Sequence, residues 1–129
     1  MQGKFKLNTF IDKQVTSAQR ADSRFKEVLL LLPRFYAAHL SPQEWRGMAG
    51  QRPSMADEFM YPGSKYFAWM HEAFQNANRA EMHVYTLTGD DKCLAVDVSF
   101  HKGEKASVGT SFTFNLSNGQ IGAGYLGPW

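Results

Sequence analysis

Residues 82–125, MHVYTLTGDDKCLAVDVSFHKGEKASVGTSFTFNLSNGQIGAGY, decide how the chain folds. Four runs rich in β-branched and aromatic residues, Met82 to Thr88, Lys92 to Lys102, Ala106 to Leu116 and Gln120 to Leu126, are separated by turns at Gly89-Asp90-Asp91, Gly103-Glu104 and Asn118-Gly119. Connections this short join antiparallel neighbours, so the pattern predicts a four-stranded meander. Everything before residue 82 then has to supply the helices that cover one face.

Side chains alternate across a strand, which divides the sheet into two faces. One carries Leu94, Val96, Val98 and Phe100, then Val108, Thr110, Phe112, Phe114 and Leu116. The other carries Cys93, Ala95, Asp97, Ser99 and His101, then Ser107, Gly109, Ser111, Thr113 and Asn115. Burying an unpaired carboxylate such as Asp97 costs several kcal/mol, comparable to the whole stability of a small domain. The helices are therefore expected on the Val and Phe face, with Asp97 turned to water or to a partner subunit.

Upstream, residues 1–20 show no sustained period and read as a short strand, an arm or a tail. From Asp22, with Asp22 or Ser23 as its cap, the residues Phe25, Val28, Leu29, Leu32, Phe35, Tyr36, His39 and Leu40 recur at helical spacing. Pro33 falls inside that pattern and is expected to kink or divide the helix, because it lacks a donor and collides with the preceding turn. Ser41-Pro42-Gln43-Glu44 has the cap, the first-turn proline and the returning glutamate of a second helix, which carries Trp45 and Met48. After a turn at Tyr61-Pro62-Gly63, a third helix carries Phe67, Met70, His71 and Phe74 and ends near Asn76 to Asn78. Helices followed by a meander make an α+β layout, with an arm or tail over 1–20 and one domain over 21–129.

The 129 residues suffice for one well-filled core, and 43% hydrophobic and 14% aromatic residues argue against disorder. Lys and Arg are scattered and the formal charge is +2, so nucleic acid and anionic membranes are not expected partners. The single Cys93 forms no internal disulfide and fits a reducing compartment. His39, His71, His83 and His101 lack the spacing of a metal site, and no cofactor motif is present. The longest apolar run, Val28 to Leu32, is too short to span a bilayer, and Met1-Gln2-Gly3-Lys4 does not open a signal peptide. A cytoplasmic protein is the expectation.

The segment Met55-Ala56-Asp57-Glu58-Phe59-Met60-Tyr61-Pro62-Gly63, the helix after it, and the strand-turn-strand Phe112 to Ile121 around Asn118-Gly119 together resemble the nuclear transport factor 2-like superfamily. The resemblance is to its SnoaL-like polyketide cyclase and ketosteroid isomerase branches, and it covers about residues 22 to 126. It implies a curved sheet wrapped by helices into a cone-shaped α+β barrel, an internal pocket for an apolar small molecule, and frequently a homodimer through the outer sheet face. Here that face carries Asp97, Ser99, Ser111 and Thr113.

Carried over residue by residue, the family's catalytic base falls on Tyr61, its third-strand acid on Thr110, and its first-helix tyrosine on Phe35 or Tyr36. Tyrosine, with an ordinary pKa near 10, is a weak base at neutral pH, and threonine donates a hydrogen bond without giving up its proton. Proton transfer then rests on His71, with Tyr36, Tyr61 and Asp57 as further candidates and His39 following the face of the first helix. The plainer alternative for either histidine is a half-buried ring bonded to a backbone carbonyl. Thr110, Phe67, Met70, Val98, Phe100, Phe112, Phe114 and Trp45 are the expected ligand wall. Two readings follow: a cofactor-free isomerase, cyclase or dehydratase acting on a polyketide, steroid or terpenoid, or a non-catalytic binding or assembly module. An internal histidine or carboxylate within hydrogen-bond reach of another polar group separates them, since a binding module needs none.

Overall fold

The computed structural model describes residues 5–40, 65–103 and 105–128. The helix expected at Ser41 to Glu44, and with it Trp45, Asp57 and Tyr61, lies outside them. The described chain is α+β: a five-stranded, open, mixed sheet in the order β1-β2-β3-β4-β5, with helices on one face. The strands are β1 Lys6–Ile11, β2 Arg79–Leu87, β3 Asp90–Lys102, β4 Lys105–Asn115 and β5 Ile121–Pro128.

Strands β2 to β5 form the expected antiparallel meander, each shifted by a few residues at most from its expected limits. Gly89, Gly103 and Gly119 take φ of +84°, +73° and +74° at its three turns, in the left-handed region where a Cβ is strained. At Gly119 a Cβ would stand 2.9 Å from Arg24 Nη1, the movable end of a long side chain, so the last turn lies close to the helical side and its positive φ is what calls for glycine.

Of the readings left open for residues 1–20, 6–11 form a strand. β1 pairs in parallel with β2, Phe10 opposite His83 and Ile11 opposite Val84, and becomes a sheet edge. Behind it lies a helix that the sequence reading did not find, α1 Ser17–Ala21, opened by a capping box in which Thr16 Oγ1 accepts from the Gln19 amide and Gln19 Oε1 from the Thr16 amide. Gln19 is buried, and its Nε2 donates to the Asp91 carbonyl at 2.9 Å, tying α1 to the β2–β3 turn.

The helix expected from Asp22 is divided into α2 Phe25–Leu29 and α3 Leu31–Leu40. Asp22 does not cap it; Asp22 closes α1, its carboxylate accepts from the Arg24 amide, and Arg24 precedes α2 without a side-chain cap. Pro33 divides the pattern upstream of itself. A continuous helix would press its ring on the Leu29 carbonyl, so α2 stops at Leu29, and Pro33 sits in the first turn of α3 where no amide is required. The break also turns Leu29 outward, 37% exposed, although its spacing placed it on the core face. The last described helix, α4 Lys65–Gln75, occupies the expected third-helix segment.

Phe25, Val28, Leu31, Leu32 and Phe35 from α2 and α3, and Met70, Ala73 and Phe74 from α4, pack on the face of β3 and β4 that carries Leu94, Val96, Val98, Phe100, Phe112, Phe114 and Leu116. Phe35 meets Phe112 edge-on at 6.1 Å between ring centroids, and Phe74 meets Phe100 at 4.9 Å. Asp97 stands on the opposite face, as the cost of burying its charge requires.

Candidate functional site

A part-buried polar pair occurs where α3 crosses α4. Helical spacing puts His39 one turn beyond Phe35 on α3, and His71 one turn before Phe74 on α4, so both rings ride at the edge of the apolar seam. Their Nδ1 atoms lie 2.7 Å apart, with ring centroids at 4.4 Å. His39 stacks on Phe74 at 5.2 Å and stands near Tyr36 at 6.1 Å, and Tyr36 stacks in turn on Phe5. Phe74 then links this cluster to Phe100 on the sheet.

At that distance a single proton lies between the two Nδ1 atoms. When both rings are neutral, one donates from Nδ1 and has its remaining lone pair on Nε2, and the other accepts at Nδ1 and carries its proton on Nε2. Two cationic rings cannot make this contact. Burial, and after it the neighbouring His71, holds the pKa of His39 below the ordinary histidine value. A neutral pair of opposite tautomers is a base and an acid side by side, the equipment for moving a proton on a bound molecule.

The expected ligand wall is drawn together, and it is packed tight. Val98, Phe100, Phe114 and Thr110 have no accessible surface, Met70 has 2% and Phe112 3%. Of Phe67 only the backbone, in α4, is described. Thr110 Oγ1 is buried with no hydrogen-bond partner, a rare and costly state for a hydroxyl in an otherwise apolar wall. It stands opposite Val98 and two residues before Phe112 on the inner face.

The outer face carries a second polar group of residues, which the sequence reading captured only in part. Asp97 Oδ2 accepts from the Tyr85 hydroxyl at 2.9 Å and Oδ1 from the Ser111 hydroxyl at 2.6 Å. Burial first, then the hydrogen bond to Asp97 and its charge, push the Tyr85 pKa up to about 12, which keeps the hydroxyl a donor. Towards the other end of the same strands, Ser99 Oγ lies 2.8 Å from His101 Nε2, and Glu81 lies 3.5 Å from His101 and 3.4 Å from Arg79. Burial outweighs the attraction of Glu81 and, helped by Arg79 and His83, lowers the His101 pKa. Arg79, Glu81, His83 and Tyr85 share this face by simple alternation along β2. The signal was present, but the expected strand began only at Met82 and its faces were not separated.

Cys93 is half-buried and its thiol pKa is raised, by burial and then by Asp90, which makes it a poor nucleophile. Among the described residues no group of three His, Cys, Asp or Glu side chains is placed to hold a metal ion, and no helix is long and apolar enough to cross a membrane.

The lowered histidine pKa values have a consequence for stability. The unfolded chain binds protons at these sites below about pH 6.5 while the folded chain resists them, so stability is full above that pH and is lost as pH falls towards the lowered folded values. Urea midpoints measured from about pH 7.5 down to pH 5 are expected to decline with an unchanged slope. A level midpoint would contradict the burial of these two rings.

No family model, no curated protein and no solved structure matches the chain.

Proposed function

We propose that the chain is a SnoaL-like member of the nuclear transport factor 2-like superfamily, in which helices and sheet form a cone around an apolar small molecule, and that it isomerises, cyclises or dehydrates that molecule by acid-base chemistry. The reading is carried by the 2.7 Å contact between His39 and His71. A non-catalytic module of the same fold needs no such pair, and a structural histidine is served by a backbone carbonyl rather than by a second imidazole. Support also comes from the order of the elements after β1, helices and then a glycine-punctuated meander, and from the unpartnered Thr110 hydroxyl on the inner face. In this reading the inner wall, closed over Thr110 in this structure, parts to admit the ligand; the histidine pair then takes a proton from one atom of it and returns it to another, while Thr110 donates a hydrogen bond to a ligand oxygen. No cofactor is required for that work.

The test starts with protein purified without added ligand. Organic extraction is expected to release an apolar molecule in about one copy per chain, and its conversion by the native protein is expected to fall about 100-fold or more in His71→Ala, the usual contribution of a positioned acid or base. Full activity in His71→Ala removes the histidine mechanism. A crystal structure of the protein that yields the extracted molecule, in which the inner wall stays closed and leaves that molecule no room, removes the small-molecule reading altogether.

A further inference from the structure

The outer face holds a depression of about 340 Å³ over β1, β2 and β3, lined by Phe10, Asp12, His83, Tyr85 and Asp97 among others. Register explains its composition. Phe10 pairs with His83, His83 with Asp97, and Asp97 with Ser111, so one row of side chains runs across four strands on the face away from the helices. Phe10 is 47% exposed and stacks on His83 at 4.9 Å, which makes a flat aromatic wall beside the Asp97 carboxylate. Tyr85 closes the other side and orients that carboxylate by donating to Oδ2.

The electrostatics of this site are one-sided. Among the described residues its lining includes two carboxylates and no Lys or Arg. Among the described residues Asp97 has no ion-pair partner; it is held only by two neutral hydroxyls. Each carboxylate oxygen takes about two hydrogen bonds, so both retain an acceptor position. A half-buried carboxylate left without a cation, next to an exposed aromatic wall, is the composition that recognises organic ammonium groups: the charge meets the carboxylate and the rings offer their negative faces. The volume lies at the small end of the range for ligand pockets.

We propose that this outer-face cavity is a binding site for a small organic cation, a protonated amine on an aryl or alkyl group about the size of benzylammonium. The site is separate from the His39–His71 pair, which lies with the helices on the other side of the sheet, and it does not depend on the catalytic reading.

The full chain is titrated with benzylammonium, benzyl alcohol and benzoate, followed by calorimetry and by backbone amide shifts. Benzylammonium is expected to bind saturably and to shift the amides of Phe10, His83, Tyr85 and Asp97, with benzyl alcohol at least about five-fold weaker and benzoate silent. Phe10→Ala, a change at an exposed side chain, is expected to weaken benzylammonium about three- to ten-fold, and Asp97→Asn at least about ten-fold. If Asp97→Asn does not fold, the charge series and Phe10→Ala decide the matter. Equal affinity for the alcohol, unchanged affinity in Phe10→Ala, shifts confined to His39 and His71, or no saturable binding each overturn the proposal. So does sedimentation as a dimer whose interface protects these amides from exchange, because a second copy would then occupy the face.

Discussion

Replacing Phe100 by alanine is expected to cost about 3–5 kcal/mol of unfolding free energy, the usual range for removing a buried aromatic side chain. Phe100 has no accessible surface and sits on β3, between Trp69 at 5.9 Å and Phe74 at 4.9 Å, both edge-on. The loss has two parts: the transfer of the ring's apolar area back to water, and a cavity that two strands and a helix can only partly close. Set against a total stability of about 5–15 kcal/mol for a domain, one such substitution removes about a fifth of the margin or more. Phe10→Ala is the matching control, since Phe10 is 47% exposed and its removal should cost under about 1 kcal/mol. Urea denaturation followed by tryptophan fluorescence measures both. A Phe100→Ala loss below about 1 kcal/mol would mean that α4 does not seat on the sheet as described.

The meander could be read from the chain because its information is local. Period-two alternation from Leu94 to Leu116 sorts the faces without knowledge of any partner, and each turn needs a residue tolerant of positive φ, which Gly89, Gly103 and Gly119 supply. β1 was harder for the opposite reason. Leu7, Thr9 and Ile11 alternate with Lys6, Asn8 and Phe10, yet no turn marks the segment, and its strand partner among the described residues, β2, begins far along the chain at Arg79. Helix faces were legible and helix breaks were not: spacing alone set Leu29 on the core side, whereas the carbonyl that Pro33 must avoid ended α2 there and turned Leu29 to solvent. The histidine pair falls between these cases. Each ring could be put on the correct side of its own helix, but their contact joins residues 32 positions apart and depends on how α3 and α4 cross, which no periodicity encodes.

Asp97→Ala is expected to destabilise the chain by about 2–4 kcal/mol, because one substitution strands two donors. The Tyr85 and Ser111 hydroxyls both point at this carboxylate, and both residues are half-buried on strands that flank β3. Hydrogen bonds to a charged group are each worth about 1.5–3 kcal/mol; solvent at this part-exposed site holds the sum towards the lower end, and a water entering the gap recovers some of the rest. Asp97→Asn keeps the shape and one acceptor, so it should lose less. Tyr85→Phe paired with Asp97→Ala in a double-mutant cycle isolates the shared bond, and a coupling below about 0.5 kcal/mol would mean that the two groups do not interact in solution. Tyrosine absorbance offers an independent measure. The Tyr85 pKa of about 12 should fall part of the way towards 10 in Asp97→Asn, with burial, its largest cause, still in place. For the same reason the native chain should keep the Tyr85 contribution below about pH 10 and lose it as pH rises towards 12, since the unfolded tyrosine gives up its proton first.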